Sequence, residues 1–97
     1  MNLGLYDKKI LITGASRGIG LAIAEGFLQE GSQTCLISRG SSALFENETK
    51  LQGTYGMENV FAYKCDCTNT KSLNGLKDKV ENKWNGLDAG VVNVGDG

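Results

Sequence analysis

The sequence predicts an α/β fold: a doubly wound parallel sheet, incomplete, with about four strands and three helices. Short runs rich in branched apolar residues alternate with longer segments of helical periodicity. This alternation is typical of parallel strands joined by crossover helices. The length of 97 residues is that of one small domain, so residues 1–97 are expected to form one domain or part of one.

The predicted strands are four apolar runs, at residues 9–13, 33–38, 59–66 and 89–95. Each run is too short for a helix and is rich in β-branched or aromatic side chains, which favours a buried strand. The last run has the composition of a strand with neighbours on both sides. Because the chain stops directly after it, we expect the sheet to be interrupted there.

The first two predicted helices lie between these strands. The first begins near Ile19 and ends at Gly31, a residue type that commonly ends helices. Its apolar residues at helical spacing are Ile19, Ala22, Ile23 and Phe27. The second is weaker, with an end near Gly53 or Gly56. Its apolar markers are Leu44, Phe45 and Leu51.

The third predicted helix has the clearest boundaries. Thr68 or Thr70 is a suitable N-cap, and Gly86 is expected to end the helix. The inward stripe is predicted to be Leu73, Leu76, Val80 and Trp84.

Composition excludes several classes of partner. Ten basic and eleven acidic residues leave a net charge of −1, which gives no electrostatic reason to expect binding to nucleic acid or a membrane surface. No run approaches the ~20 apolar residues of a membrane span, and the first residues do not form a signal peptide. We therefore expect a cytoplasmic protein with neither nucleic acid nor membrane as a partner.

The three cysteines do not indicate a metal site or a disulfide framework. Their number is odd, and Cys65 and Cys67 are separated by one residue, which is not a usual zinc-ligand spacing. The chain has no histidine, which excludes a mixed Cys/His site. We expect small buried thiols of a reducing compartment, and no metal.

Three glycines follow the first strand and open the first helix. Gly14, Gly18 and Gly20 form the pattern T-G-x-x-x-G-x-G. Glycine permits unusual backbone angles, and its missing Cβ lets a pyrophosphate approach the backbone N–H groups at the positive end of a helix. The alternative is a glycine-rich turn between strand and helix that holds no ligand.

Three separated segments resemble the short-chain dehydrogenase/reductase family. They are TGASRGIG at 13–20, CDCT at 65–68 and NGLDAGVVNVG at 85–95, in the family's order and separation. The last segment departs from the family, because Val92 and Val94 stand where the family has asparagine and alanine. The resemblance implies a Rossmann-like fold and hydride transfer between a nicotinamide cofactor and a carbonyl or alcohol substrate.

The resemblance also implies which residues bind the cofactor. Those expected at the diphosphate are Gly14, Ser16, Gly18, Ile19 and Gly20, with Arg17 at the 2′-phosphate of NADP(H). Asp66 would accept a hydrogen bond from the adenine amino group, with the Cys67 backbone beside it. Asn93, Val94 and Gly95 would contact the adenosine ribose mainly through their backbone. A role for Asp66 as a turn or cap residue remains the alternative.

The end of the second strand indicates which nicotinamide cofactor is preferred. NAD-binding domains place an acidic residue about twenty residues after the glycine loop, whereas this chain has Ser38 followed by Arg39. A carboxylate there would repel a 2′-phosphate, and an arginine can bind one. Arg17 could reach the same phosphate, as in the NADP-preferring members that this pair resembles. NADP(H) is therefore expected over NAD(H), unless both arginines are only solvated surface residues.

No catalytic residue can be assigned. The family requires a serine, a tyrosine and a lysine in a Tyr-x-x-x-Lys pattern, and Tyr6, Tyr55 and Tyr63 each lack a lysine four residues later. We expect the chain to be the N-terminal cofactor-binding part of an NADP-dependent oxidoreductase, inactive alone and homo-oligomeric when complete. The alternative is a truncated, non-catalytic nucleotide-binding module. A sugar-nucleotide epimerase is less favoured, because its glycine loop would place glycine at position 17.

Overall fold

Four parallel strands form one sheet in a computed structural model that describes residues 7–16, 18–40, 42–66 and 68–91. The elements follow one another as β1 (Lys9–Thr13), α1 (Gly18–Gln29), β2 (Gln33–Ser38), α2 (Ser42–Tyr55), β3 (Val60–Lys64), α3 (Thr70–Trp84) and β4 (Ala89–Val91). The strand order is β3-β2-β1-β4, and every adjacent pair is parallel. The α/β prediction is therefore confirmed.

Helices cover both faces of the sheet, as the doubly wound prediction requires. Successive strand residues point to opposite faces. In β2, Leu36 packs in one core cluster with residues of α1 and α2. Its neighbours Cys35 and Ile37 pack in a second cluster with residues of α3. The run of apolar residues in β2 therefore serves two cores, one on each face.

The strand bounds agree with the prediction at β1 and β2 and differ at β3. The third strand covers Val60–Lys64 rather than 59–66. The Cys65 N–H still donates to the Ser38 carbonyl at 2.9 Å. The chain then leaves the sheet at Asp66, whose side chain accepts two hydrogen bonds from Thr68. The described part of β4 is Ala89–Val91, and the predicted residues 92–95 lie outside the described residues.

The apolar stripe predicted for α1 is wrong in part. Ile19 is 72% exposed, and Ala22 is exposed as well. The buried residues are instead Gly20, Ala24 and Leu28, which follow one another at four-residue intervals. This stripe has small residues at two of its three positions, so the helix packs close to the sheet and Ile19 is turned away from it.

The second helix buries Leu44 and Leu51 as predicted, whereas Phe45 is 42% exposed. The helix continues through Gly53 and ends at Tyr55. Gly56 follows with φ of 103°, a left-handed conformation that glycine adopts without a Cβ penalty. The second of the two predicted ends is therefore confirmed.

Side chains of α2 also close the outer edge of β3. The Glu48 carboxylate accepts from the Ala62 N–H at 2.8 Å, and the Gln52 side-chain amide donates to the Val60 carbonyl at 2.9 Å. Unpaired groups on an edge strand are templates for association with other chains. These two contacts satisfy such groups and attach α2 firmly to β3.

Both predicted caps of α3 are wrong by one residue. The N-cap is Asn69, whose side-chain oxygen accepts from the Ser72 N–H at 3.1 Å. Thr68 lies one residue before this cap, and its hydroxyl donates to Asp66. The C-cap is Asn85 in the left-handed region with φ of 60°, a conformation that asparagine tolerates better than most residues. The helix thus ends before Gly86.

The face of α3 toward the sheet buries Leu76 and Val80. The predicted contribution of Leu73 is wrong, because this side chain is 41% exposed. Trp84 is half-buried and packs edge-on against Phe61, with ring centroids 5.0 Å apart and an interplanar angle of 71°. An aromatic pair in this geometry contributes about 0.5–1.5 kcal/mol beyond its area burial.

Cys35 and Cys65 are buried thiols, as expected, and Cys67 lies outside the described residues. Burial raises the pKa of the Cys35 thiol far above its ordinary value, so this thiol stays protonated and is a poor nucleophile.

Within the described ranges no helix combines the length and apolar character that crossing a bilayer requires.

The contact between Gly75 and Tyr63 leads to a test of how α3 packs on β3. A Cβ at Gly75 would lie 2.5 Å from the Tyr63 hydroxyl oxygen but 3.7 Å from the ring carbon that carries it. In the otherwise unchanged protein, Gly75→Ala should lower the free energy of unfolding, because overpacking costs about 1–3 kcal/mol. In a Tyr63→Phe background, the same substitution should raise it by about 0.5–1 kcal/mol through helix propensity. Urea denaturation measures both values, and equal effects in the two backgrounds would contradict this packing.

Candidate functional site

The turn between β1 and α1 is held against the carboxyl ends of the strands. Gly14 and Gly18 have φ of 62° and 64°, the left-handed region that favours glycine. The Ala15 N–H donates to the Ile37 carbonyl at the end of β2, at 2.9 Å. The Ser16 carbonyl accepts from the side-chain amide of Asn47 on α2. These contacts order the turn from two sides.

The first helical turn of α1 presents backbone N–H donors beside the glycine turn. Helix N–H groups in the first turn have no acceptor within the helix and carry a partial positive charge. In α1 the first helical turn begins at Gly18, contains no acidic residue and includes Gly20, which has no side chain. A helix start of this kind is suited to an anion such as a phosphate.

The end of β2 lies next to the glycine turn because β1 pairs with β2. In this register Thr13 is opposite Ile37, so Ser38 follows directly beside the turn. Ser38 is 3% exposed, and its hydroxyl accepts from the Gly40 N–H at 3.1 Å. Arg39 is exposed at the same edge. The serine thus orders the bend, and the arginine presents its charge to solvent.

Asp66 lies at the same edge, just beyond β3. Its Oδ1 atom accepts from the Thr68 hydroxyl at 2.6 Å and from the Thr68 N–H at 3.0 Å. The Thr68 hydroxyl, then the Thr68 N–H, and then the positive charge of Arg39 lower the pKa of this carboxyl. Asp66 therefore has the role of a turn residue. Neither of its two side-chain hydrogen bonds uses the Oδ2 atom.

The structure brings most of the predicted site residues to one edge of the sheet. Those with described positions there are Gly14, Ser16, Gly18, Ile19, Gly20, Ser38, Arg39 and Asp66. The remaining predicted residues lie outside the described residues, namely Arg17, Cys67, Asn93, Val94 and Gly95. The proximity of the first group follows from parallel pairing, since strands of one direction end at a common edge.

Sequence reasoning missed Asn47, which contacts the glycine turn from 31 residues away. A usable signal is present, however. Asn47 is three residues after Leu44 and four before Leu51, both buried, so it lies on the inner face of α2. A polar residue on such a face needs a partner, and the Ser16 carbonyl is that partner.

An apolar groove lies elsewhere, between α3 and the loop that follows it. Its apolar lining includes Leu11, Leu73, Leu76, Val80 and Leu87. Lys77 and Glu81 also line it, and none of the predicted cofactor residues does. The groove has no cluster of converging polar donors and is unlike the edge that holds the glycine turn.

Comparison with known proteins agrees with this geometry. A family model described as short chain dehydrogenase matches residues 8–96. A probable NADP-dependent mannitol dehydrogenase from Yarrowia lipolytica is 36% identical over 91 residues, which cover 94% of this chain and 32% of that protein. The chain spans about a quarter to a third of the curated relatives that head the comparison, 25% and 32% of their lengths.

Two solved structures show the same fold. The L-sorbose reductase from Gluconobacter frateurii, complexed with NADPH and L-sorbose, matches with a TM-score of 0.90 and 35% identity, over 100% of this chain and 36% of that one. A short chain dehydrogenase/reductase from Burkholderia phymatum in complex with NAD has a TM-score of 0.82 and 23% identity, over 89% and 30%. The sheet, the glycine turn and the family match together identify this chain as a member of the short-chain dehydrogenase family of oxidoreductases.

Proposed function

We propose that this chain binds NADP(H) as the cofactor-binding portion, residues 1–97, of an oxidoreductase that transfers hydride between the nicotinamide and a carbonyl or alcohol substrate. The observation that carries the proposal is the juxtaposition of an ordered glycine turn, an exposed helix N-terminus and Arg39 at one edge of the sheet. When bound, the nicotinamide supplies the hydride chemistry.

The glycine turn fits a diphosphate on three counts. Gly14 and Gly18 occupy left-handed conformations that a side chain would strain. The first turn of α1 has no acidic side chain to repel an anion. The backbone donors of Gly18, Ile19 and Gly20, with the Ser16 hydroxyl, would bind the phosphates. Ile19, exposed at this helix start, would cover part of the bound dinucleotide.

Preference for NADP(H) rests on the end of β2. No carboxylate stands at Ser38 to bind two ribose hydroxyls, and the exposed Arg39 beside it would bind a 2′-phosphate. Arg17 would contribute a second positive charge. Two similar proteins at 35% identity or more are named a probable NADP-dependent mannitol dehydrogenase and an L-sorbose reductase complexed with NADPH, which supports this preference.

Asp66 would accept from the adenine amino group, the backbone of Cys67 would line the adenine pocket, and Asn93, Val94 and Gly95 would border the adenosine ribose. The Oδ1 atom of Asp66 is occupied by Thr68, so the adenine amino group would donate to Oδ2. The turn role and the adenine role of Asp66 are thus compatible, one oxygen serving each.

The groups that exchange the proton with substrate would come from further sequence of the complete protein. A non-catalytic nucleotide-binding module remains the second candidate, because none of the chain's three tyrosines has a lysine four residues later. We also propose a reducing compartment such as the cytoplasm, since a buried thiol such as that of Cys35 is suited to one. We extend the proposal to a homo-oligomer, on the family resemblance.

Cofactor preference can be measured by isothermal titration of the purified protein with NADPH and NADH. NADPH should bind tighter by about tenfold or more, since a hydrogen bond to a charged group contributes about 1.5–3 kcal/mol. Arg39→Asp should reverse the order, because the new carboxylate repels a 2′-phosphate and accepts from ribose hydroxyls. Lys50→Asp makes the same charge change on the exposed side of α2 and should preserve the order. Tighter binding of NADH by the unmodified protein, or reversal by Lys50→Asp, would contradict the proposal.

The hydrogen bonds from Thr68 lower the pKa of the Asp66 carboxyl, and this effect can be tested by titration. Thr68→Val removes the hydroxyl donor, so the pKa of Asp66 should rise toward its ordinary value, as followed by carbon-detected NMR titration. Because the folded-state pKa is lowered, these bonds stabilise the fold above the unfolded pKa. That stability is lost as pH falls through the folded pKa, and the variant should show less of this loss. Thr49→Val removes a hydroxyl that bonds to Phe45 instead and should leave Asp66 unchanged. An unaltered Asp66 titration in Thr68→Val would be the contrary result.

A further inference from the structure

We infer that Asn47 is a positioning residue for the cofactor-binding turn, which it serves by holding the Ser16 carbonyl toward α2. The inference rests on the proposed function and deepens it. Asn47 would not contact the cofactor itself. Its effect would pass through the backbone of the turn, which is the part that meets the diphosphate.

The contact joins two segments that are distant in sequence. The Asn47 side-chain nitrogen donates to the Ser16 carbonyl oxygen in a part-buried position, and Ser16 is 7% exposed. A buried carbonyl without a donor carries a desolvation cost. The bond therefore favours the conformation of the turn in which this carbonyl faces α2 over conformations in which it is rotated away.

The orientation of this carbonyl matters for an anion. A peptide group is planar and has its C=O and N–H on opposite sides, so rotation of the peptide exchanges a donor for an acceptor. An acceptor turned toward a diphosphate would repel it, and a site that binds anions needs its carbonyls directed away. The hydrogen bond from the Asn47 side chain keeps the Ser16 carbonyl directed toward the helix.

The helix that carries Asn47 is a firm support. The neighbouring Glu48 accepts from the Ala62 N–H at 2.8 Å, and Gln52 donates to the Val60 carbonyl at 2.9 Å. Leu44 and Leu51 bury the same face of α2 against the sheet. A positioning group acts best from a rigid element whose own contacts are satisfied, and α2 meets this condition on both sides of Asn47.

The second tether of the turn is backbone alone. The Ala15 N–H donates to the Ile37 carbonyl, a contact that uses no side-chain atom. The tether at Ser16 depends on the side chain at position 47. The geometry of the turn is thus sensitive to the side chain at position 47, which lies outside the glycine pattern.

The test compares Asn47→Ala with Asn59→Ala in the purified protein. Asn59 makes the same kind of bond, from its side-chain amide to the Tyr55 carbonyl, at the other end of α2. The ligands are NADPH, which carries the diphosphate, and adenosine 2′-monophosphate, which lacks it. Dissociation constants are measured by calorimetry below the melting temperature of every variant.

Asn47→Ala should weaken NADPH about three- to tenfold, the range for one net hydrogen bond, and weaken adenosine 2′-monophosphate less than NADPH, because of the turn's groups only Arg17 would contact it. Asn59→Ala should lower the melting temperature but leave both dissociation constants unchanged. Asn47→Asp keeps the shape and removes the donor, so it should weaken NADPH at least as much as the alanine variant, and it serves if that variant does not fold.

Three results would overturn the inference: unchanged NADPH affinity in the folded Asn47 variants, equal weakening of both ligands, or the same weakening in Asn59→Ala. Each would show that Asn47 contributes only general stability. An unmodified protein that binds neither NADPH nor NADH would instead overturn the proposed function, and this inference with it.

Discussion

The parallel register of β1 and β2 is the constraint on which the candidate site depends. Thr13 is opposite Ile37, and one further contact beyond the strands, from the Ala15 N–H to the Ile37 carbonyl, continues the pairing into the glycine turn. This places the start of α1 beside Ser38 and Arg39. A slip of one residue would exchange the faces of β2 and move the arginine away from the turn.

Around this register, each surrounding element contributes one kind of group to the same edge. The turn and α1 contribute backbone donors, the end of β2 contributes a positive charge, and the end of β3 contributes the carboxylate of Asp66. The positive charge of Arg39 helps to lower the pKa of Asp66, after the two hydrogen bonds from Thr68. The helix α2 connects the glycine turn to β3, because Asn47 bonds to the Ser16 carbonyl of the turn and Glu48 bonds to the Ala62 N–H of β3. An extended ligand with phosphate at its centre matches this distribution of groups.

Much of this organisation could be predicted from sequence, because local pattern decides it. The bounds of β1 and β2 follow from dense branched apolar runs, and the glycine turn follows from its position between a strand and a helix. The caps of α3 differ by one residue because the Asn69 side chain accepts from the Ser72 N–H and because Asn85 adopts a left-handed conformation itself. Both depend on hydrogen bonds that propensity does not reveal.

The errors in burial have the same origin. Ile19 and Leu73 fit an apolar period, but which side of a helix meets the sheet depends on how closely the helix packs, and Gly20 and Ala24 decide this in α1. The role of Asn47 needed the fold, since its partner is 31 residues away. For the site residues, the sequence predicted a common location, and the structure supplied the contacts that hold Ser16, Ser38 and Asp66.

The proposed binding of a dinucleotide phosphate to the backbone of the glycine turn is tested most directly by an amide NMR titration of the purified protein with NADPH. We predict the largest chemical shift changes at the amides of Ser16, Gly18, Ile19 and Gly20, saturating together at one dissociation constant. A spectrum unchanged at millimolar NADPH, or changes confined to the apolar groove at Leu73, Leu76 and Leu87, would contradict the claim.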